Sequence, residues 1–536
     1  MKTNIIRNIV ALVAASGLLT ACGIYKSYER PEDIQAPDQY RMDNMAEVKA
    51  DADSLGPAFA LASADLGTIQ DSNHLGFMPW KEMFPDPKLQ YLIQKGLDSN
   101  FDLRNAVLQV RQMQALLAKA RLSFTPSLNV SGTEGFNGII DMADPQNTFG
   151  IGASASWEID IFGKLLNAKR GAVADFLQSD AARRSAQTQI ISSIASAYYS
   201  LLMLDKQLEI SEQTVENWKK TITMMESMKE AGSYAAYNQA AIEQAKANSM
   251  AVRAGIPDLK RQIRELENSL ALLVGMPGQP IDRNRFEDQE IPAQFSVGVP
   301  SQMFLNRPDV MAAEAQLMSA YASTAAARAA FLPGFNITAS GNWTNAAGTA
   351  ILDPAKFVWQ AVASLALPIF NQGANRANLR VAKAGQEIAA NNFKQTLLNA
   401  ANEVSNALFQ YQTSGAKCQY RTEQIASLEK AVDFTTQLMQ LGSTTYLEVL
   451  TAQQSLLSAQ LSQVSDQYER MNSVISLYRA LGGGSQEEIE GVDYENLDSP
   501  KAVRKRTKAA EKQVKALIKQ EKAEAKADRI AARRNR

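Results

Sequence analysis

The sequence predicts a mainly α-helical protein that also carries membrane-type β-strands, and it predicts that this unit occurs twice. Three observations support the prediction: a motif that recurs 207 residues later, segments in which apolar and polar residues alternate, and long proline-free segments with apolar residues at steps of three and four. The 536 residues therefore form a few long elements, rather than the three or four compact domains that the length alone suggests.

The duplication is visible in short matching motifs. Residues 120–129 read ARLSFTPSLN, and residues 327–336 read ARAAFLPGFN. Two later pairs keep nearly the same offset: Ile161-Phe162 with Ile369-Phe370, and Gly232-Ser233 with Gly442-Ser443. An offset that drifts so slowly over a hundred residues indicates two copies of one unit.

Each half contains two segments with the period of a β-strand. Apolar residues alternate with small or polar residues over 149–159 and again over 357–367, and shorter alternating runs precede them at 127–136 and 334–343. About ten alternating residues are typical of a transmembrane β-strand. A soluble, half-buried hairpin has the same pattern, so the alternation alone leaves both interpretations open.

The helical segments are much longer than the strands. No proline occurs over 165–230, and the apolar residues of 190–225 follow one another at steps of four and three, as they do again over 457–478. This 3.5-residue period predicts left-handed coiled-coil packing. At 1.5 Å per residue such a helix reaches about 100 Å, so it must pack against partners along its whole length.

Four strands per chain are too few to close a membrane barrel, since the smallest such barrels have eight. Open sheet edges cannot face lipid, because their backbone groups would stay unpaired. If these are membrane strands, several chains must contribute to one barrel. Two, three or four copies would give eight, twelve or sixteen strands, and the residues alone do not choose among them.

The N-terminus predicts export from the cytoplasm. Lys2 and Arg7 precede an apolar stretch at 9–19. That stretch is shorter than the roughly 20 apolar residues that a membrane-spanning helix needs. It is typical of a secretory signal peptide, which we expect at 1–21.

The end of this signal predicts a lipid anchor. Residues 19–22 read LTAC, which matches a lipobox in which the Cys22 thiol receives the lipid. An ordinary cysteine close to a signal is the alternative. Gly23 follows where an aspartate would favour retention in the inner membrane, so we expect sorting to the outer membrane.

Charge is distributed very unevenly along the chain. The overall net charge is −1, but residues 501–536 hold 14 Lys/Arg against 4 Asp/Glu. After this tail of +10 and the two signal-peptide cations are set aside, residues 22–500 carry −13. The tail is expected to be a solvated helix or an unstructured extension.

The composition argues against enzymatic chemistry. His74 is the single histidine, and Cys22 and Cys418 are the two cysteines. These numbers exclude a disulfide framework, a Cys/His zinc site and any catalytic group that needs two histidines. We expect no metal, no cofactor and no catalytic residues.

Four motifs together carry a family resemblance: WKEMF at 80–84, WEIDIFG at 157–163, RPDV at 307–310 and GSTTYLEVL at 442–450. Over residues 22–484 the chain resembles the TolC/OprM family of outer-membrane efflux factors, in its NodT-like lipoprotein branch. The first residues of the RPDV motif are expected to begin a helix, because proline is tolerated at the first helical position and aspartate suits that end of the helix dipole.

The resemblance implies a homotrimer in the outer membrane. Its four strands per chain would build one twelve-stranded barrel, continued by an α-helical barrel that extends far into the periplasm. It also implies a periplasmic adaptor and an inner-membrane pump, of the RND type, as partners. The implied function is a passive export duct of a tripartite efflux system. A periplasmic coiled-coil scaffold or a surface lipoprotein without channel activity is the alternative.

The resemblance further implies a gate where the long helices turn, near Gly232 and Gly442. Family members carry a carboxylate six residues after each of these glycines. Glu448 occupies the second of these positions and Asn238 the first. Three copies of Glu448 would form an acidic ring, although an ordinary solvated helix residue is the alternative reading of this glutamate.

The other gate positions lack charge. Thr444 stands where TolC has an arginine, and Thr451 stands where a second acidic ring would fall. A lock made of ion pairs is therefore not expected. The gate would instead be closed by hydrogen bonding or packing of Asn238, Tyr237 and Tyr446.

The predicted organisation has five segments. They are the signal peptide at 1–21; an N-terminal anchor and extended connector at 22–88; a first repeat at 89–300, with a strand pair at about 127–160 and long helices at about 164–274; a second repeat at 301–484, with a strand pair at about 334–369 and long helices at about 372–481; and a charged, basic tail at 485–536.

Overall fold

The computed structural model describes residues 28–31, 34, 75–137, 146–230, 239–289, 307–346, 357–441 and 443–485. All of them belong to one compact unit, Met1–Glu487, and a second unit, Glu488–Arg536, lies outside the described residues. Cys22, His74 and the basic tail at 501–536 also lie outside them.

The described chain alternates helices and strand pairs in the same order in its two halves. The helices are α1 Trp80–Met83, α2 Pro87–Ser99, α3 Phe101–Leu122, α4 Lys164–Glu230, α5 Gln239–Leu273, α6 Pro308–Ala329, α7 Ala374–Gln440 and α8 Tyr446–Ala480. The strands are β1 Ser127–Asn137, β2 Gln146–Ile159, β3 Gly334–Ala346 and β4 Phe357–Ala366. Helices α4 and α7 have 67 residues each and are about 100 Å long.

The four strands form one antiparallel sheet in the order β1-β2-β3-β4. Its register aligns residues of the same kind across all the strands. One row contains Leu128, Ala155, Ala339 and Ala361, and the next contains Asn129, Ser154, Ser340 and Gln360. One face of the sheet is therefore largely apolar and the other is small or polar, as in a barrel with lipid outside and water inside.

Large apolar side chains on this sheet are exposed in the single chain. Leu128 and Trp359 each keep 73% of their surface accessible. Trp343 and Phe357 lie on neighbouring strands with their rings tilted by 42° and the ring centroids 4.5 Å apart. At the opposite end of the sheet, the Trp157 indole N–H donates to the Phe124 carbonyl at 3.0 Å. Aromatic residues at both ends of an apolar band are typical of the two boundaries of a membrane barrel.

The helices next to the sheet repeat the order of the strands. Helix α4 packs between α3 and α6, and α6 packs between α4 and α7. The Ser319 hydroxyl on α6 donates to the Asp175 carboxylate on α4 at 2.6 Å. Farther from the sheet, α4 packs between α5 and α8, and α8 packs against α7. Each layer therefore has four helices and two open edges.

The shorter helices are joined end to end by one capping device in both halves. The Asn100 side chain caps the start of α3 and donates to the Leu273 carbonyl at the end of α5 at 2.8 Å. The Arg307 guanidinium, just before α6, donates to the Ala480 carbonyl at the end of α8 at 2.6 Å. Arg307 is 207 positions after Asn100, and Ala480 is 207 positions after Leu273, so the duplication extends to this contact. A carbonyl that has no partner within its own helix is satisfied in each case.

Arg307 also fixes the start of α6 to α7. It is 5% exposed, and its guanidinium donates to Asp309 at 2.6 and 3.0 Å and to Glu403 on α7 at 2.7 Å. The expected helix start is present, since α6 begins at Pro308. The sequence did not predict the long-range role of the arginine beside it.

A buried carboxylate ties the start of α2 to α4. Asp86 accepts hydrogen bonds from the Tyr198 hydroxyl at 2.7 Å, from Gln289 at 2.9 Å, and from the amides of Lys88 and Leu89. Burial raises the pKa of this carboxyl, but the hydrogen bonds together outweigh burial and hold the pKa below its ordinary value. The interaction therefore stabilises the fold at neutral pH and is lost as the pH falls through the depressed pKa.

In the part of the chain that the structure describes, none of the helices is long and apolar enough to cross a bilayer.

We predict that Arg307→Ala destabilises the protein. The substitution leaves the buried Ala480 carbonyl without a partner, which costs about 2 kcal/mol. The carboxylates of Asp309 and Glu403 are 42% and 49% exposed, so water can solvate them after the change. The thermal midpoint of the helical circular-dichroism signal, measured on detergent-purified protein, should fall by roughly 2–5 °C.

The matched control is Arg261→Ala, which removes an arginine from an exposed pair with Glu265 on one helix. Water screens such an exposed pair, which adds little to stability, so the midpoint of this variant should stay almost unchanged. Equal midpoints for both variants would contradict the capping role of Arg307.

Candidate gate at the helical tip

The end of the protein farthest from the sheet is formed by two helical turns. One joins Glu230 of α4 to Gln239 of α5, and the other joins Gln440 of α7 to Tyr446 of α8. The gate residues proposed from the sequence belong to these turns. Tyr237, Asn238 and both glycines, 232 and 442, lie outside the described residues, whereas Tyr446, Glu448 and Thr451 lie within them.

A single apolar cluster, here called the tip cluster, holds the two turns together. Its buried members come from all four long helices and its side chains fill the space between the two hairpins. They are Trp218 and Met225 of α4, Ile242 and Ala245 of α5, Met439 of α7, and Tyr446, Val449 and Leu450 of α8. Because the cluster spans both hairpins, a movement of one turn must disturb the packing of the other.

Tyr446 is an interior residue of this cluster. It is 3% exposed, and its ring meets Trp218 edge to face with the centroids 6.5 Å apart. Burial raises the pKa of its hydroxyl. Within the described residues this hydroxyl has no hydrogen-bond partner. Tyr446 therefore contributes to the single chain by packing inside the tip cluster.

Glu448, in contrast, is exposed in the first turn of α8. Residues 445–448 match the Thr-x-x-Glu pattern of a capping box, but the Thr445 side chain makes no capping hydrogen bond. Instead, the Thr444 hydroxyl donates a short hydrogen bond to the Glu448 carboxylate. A carboxylate at this end of a helix is favoured by the helix dipole.

Glu448 is not neutralised by a cation of the described part of the chain. Among the described residues, no lysine or arginine forms an ion pair with it. Thr451, also exposed, donates its hydroxyl to the Leu447 carbonyl of its own helix at 2.8 Å. The carboxylate is therefore free to present its charge to water.

Polar contacts brace the first hairpin beside the tip cluster. Lys229 of α4 donates to the Gln239 side chain at 2.6 Å, and Lys246 of α5 pairs with Glu226 of α4 at 2.9 Å. Both pairs are exposed, so each adds little to stability, but together they keep α4 and α5 in register close to the turn.

Sequence reasoning did not connect Trp218 with the gate. The heptad pattern indicates that Trp218 lies on a packing face, but not that its partner is Tyr446, 228 positions away along the chain. Met225 follows the same pattern and is fully buried, as expected of a packing residue. In the part of the chain with described side chains, no three His, Cys, Asp or Glu residues are grouped to hold a metal ion.

Comparison with known proteins adds independent evidence. The family profile described as "Outer membrane efflux protein" matches residues 92–276 and 299–483, which together exceed half of the chain. The two matches are offset by 207 residues, as the duplicated motifs are.

Individual relatives match over nearly their whole lengths. The cation efflux system protein CusC of Escherichia coli O6:H1 is 30% identical over 476 residues, which is 88% of this chain and 97% of that protein. The probable outer membrane lipoprotein SilC of Salmonella typhimurium is 28% identical over 470 residues, 87% of this chain and 96% of that protein. A crystal structure of CusC superposes with a TM-score of 0.73 at 28% identity and covers 86% of this chain and 100% of that chain.

These findings confirm the predicted fold class, in which an α-helical barrel continues a membrane β-barrel and the chain contains two copies of one unit. They favour a channel over a scaffold that lacks a duct. They also imply a trimer that works with a periplasmic adaptor and an inner-membrane pump. The chain belongs to the outer membrane efflux protein family and is the outer-membrane channel component of a tripartite efflux system.

Proposed function

We propose that the trimer is a passive duct whose periplasmic end is closed at the helical tip and lined there by three copies of Glu448. The observation that carries the proposal is the contrast between neighbouring residues of α8: Tyr446 is buried in the tip cluster, whereas Glu448 is exposed and has no cationic partner among the described residues. The buried ring fixes the first turn of the helix, and the exposed carboxylate is thereby held at a constant position.

The remaining gate residues are assigned supporting roles. Thr444 orients the Glu448 carboxylate through its hydroxyl, and Thr451 leaves the adjoining surface neutral. Tyr446 holds the closed arrangement by packing. Asn238 and Tyr237 belong to the turn of the other hairpin and would add hydrogen bonds there.

An acidic aperture favours the passage of cations. Three carboxylates at a narrow opening raise the local concentration of positive ions, and the net charge of −13 over residues 22–500 acts in the same direction. CusC is named as a component of a cation efflux system. We propose that cationic substrates pass through this duct, delivered by a pump of the RND type, and that the chain itself performs no covalent chemistry.

We further propose that the mature chain is anchored by lipid on Cys22. Residues 28–31 are docked on α6: the Arg30 guanidinium donates to both oxygens of Glu314 at 2.7 and 2.8 Å, and the rings of Tyr28 and Tyr321 meet edge to face at 5.4 Å. Tyr28 is six positions after Cys22, so the chain between them spans at most about 20 Å.

This reach is sufficient for a lipid on Cys22 to enter the membrane. Tyr321 lies eight residues before the end of α6 at Ala329, about 12 Å along the helix, and β3 begins shortly afterwards at Gly334. The docked segment therefore supports an anchor beside the base of the barrel. Stable anchoring needs more than one acyl chain, or one chain and a second attachment, and the barrel itself supplies the second.

We predict that Glu448→Ala lowers the cation-over-anion permeability of the reconstituted channel at least about two-fold. The effect should be larger at low ionic strength, because salt screens the carboxylates. Trimers should remain intact, since an exposed first-turn carboxylate contributes only about 0.3–1 kcal/mol to its helix. Planar-bilayer recordings at two salt concentrations measure both features.

Glu429→Ala is the matched control, because Glu429 is an exposed carboxylate on α7 more than two turns from the end of that helix. It should leave the permeability ratio unchanged. If both variants conduct like the unmodified channel, Glu448 does not line the aperture.

We predict that Cys22→Ala abolishes the incorporation of labelled palmitate into the protein, because the thiol is the acceptor of the lipid. Cys418→Ala is the control, since Cys418 is a half-buried thiol on α7. It should retain the full label. Label that persists in Cys22→Ala, or that disappears in Cys418→Ala, would rule out the assigned anchor.

A further inference from the structure

The four helix ends next to the barrel carry a concentration of positive charge that contrasts with the acidic body. The segments 117–126, 160–170, 324–333 and 367–383 connect the strands to the helices. They contain nine Lys/Arg and one Asp, and we call these nine cations the basic collar. Its members are Lys119, Arg121, Lys164, Lys169, Arg170, Arg328, Arg376, Arg380 and Lys383.

The four ends are held at one level by direct contacts. The Trp157 indole on β2 is bonded to the Phe124 carbonyl after α3, and the Asn375 side chain at the start of α7 donates to the Ala330 carbonyl after α6 at 2.9 Å. The strand register agrees, since Ser127 pairs with Ser156 and Gly334 pairs with Ala366. The collar therefore follows one rim of the sheet.

Favourable interaction with helix dipoles does not account for all nine cations of the basic collar. Lys119, Arg121 and Arg328 lie in the last turns of α3 and α6, where cations are favoured by the helix dipole. On α4 and α7, Lys164 and Arg376 lie in the first turn, where the helix dipole disfavours a cation. Neither helix has an acidic residue in that turn, but the Asp160 carboxylate accepts from the Leu166 amide at the start of α4 at 2.7 Å. The helix dipole therefore does not explain the cations at the starts of α4 and α7.

Ion pairs within the chain neutralise some of the collar cations. Lys164 pairs with Glu158 at 2.8 Å. Within the described residues, no carboxylate forms an ion pair with Arg376, Arg380 or Lys383, and all three side chains are exposed in the single chain. These cations extend over about 14 Å from the barrel end of α7, a distance comparable to the thickness of a headgroup layer plus one Debye length.

We propose that the basic collar binds the headgroups of anionic glycerophospholipids in the periplasm-facing leaflet of the outer membrane. Charge complementarity, the rim position beside the aromatic boundary residue Trp157, and the unfavourable placement of cations at two helix starts all point to this partner. The collar would hold the duct at a fixed depth in the membrane. The inference depends on the barrel and is independent of the proposed gate.

The test compares spin-labelled phosphatidylglycerol with spin-labelled phosphatidylcholine of the same acyl chains, in bilayers that contain the full-length trimer. The unmodified protein should prefer phosphatidylglycerol up to about five-fold, the effect of one basic contact near an anionic surface. The preference should disappear at 1 M salt.

The collar variant replaces Lys119, Lys383, Arg328 and Arg376 by glutamine, and its preference should fall to nearly one. The matched variant replaces two exposed lysines and two exposed arginines far from the sheet, namely Lys219, Lys220, Arg253 and Arg264, and it should keep the preference of the unmodified protein.

Either of two results would overturn the proposal. One is an unmodified trimer that does not distinguish the two lipids at low salt. The other is a collar variant that keeps the full preference, which would assign the binding to another cationic segment such as the tail at 501–536. If the collar variant does not assemble, the salt dependence of the unmodified protein still decides whether the preference is electrostatic.

Discussion

The constraint on which the rest of the structure depends is that a single chain cannot supply neighbours for the outer strands of its sheet or for the outer helices of its layers. In the sheet, β1 and β4 each lack a neighbour on one side, and the strands carry exposed apolar residues that require lipid. Backbone amides and carbonyls cannot remain unpaired in a bilayer, so these edges must be closed by other copies. The helical layers also have open edges, because each layer is a row of four helices whose outer two lack a neighbour on one side. Three copies of a four-stranded sheet give twelve strands, and the same threefold repetition closes the helices into a tunnel.

Duplication makes this arrangement possible with one chain. Two copies of a strand pair and a long helical hairpin lie side by side, and the shorter helices are stacked end to end by the Asn100 and Arg307 joints. Each joint gives a hydrogen-bond donor to a helix-end carbonyl that has no partner within its own helix. The long helices α4 and α7 cross both layers without a break and so connect the tip cluster to the region beside the sheet.

The periodic elements could be predicted from the sequence because their signal is local. Alternation over 149–159 and steps of three and four over 190–225 indicate their conformation without reference to the rest of the chain. The contacts of Arg307 could not be predicted, because the Ala480 carbonyl is 173 residues away. The same applies to Tyr446, whose burial against Trp218 depends on how two hairpins meet. Residues 445–448 even match a capping box that does not form, since Thr444 binds Glu448 instead.

The central claim is that closure requires three copies, and the mass of the assembled particle tests it most directly. The full-length chain, extracted from outer membranes in mild detergent, should give a particle whose protein mass corresponds to three chains when light scattering is corrected for bound detergent. Heating should separate the chains and remove the β-strand signal together, because no single chain can keep its sheet edges paired. A monomer that retains its strand content in detergent would contradict the account.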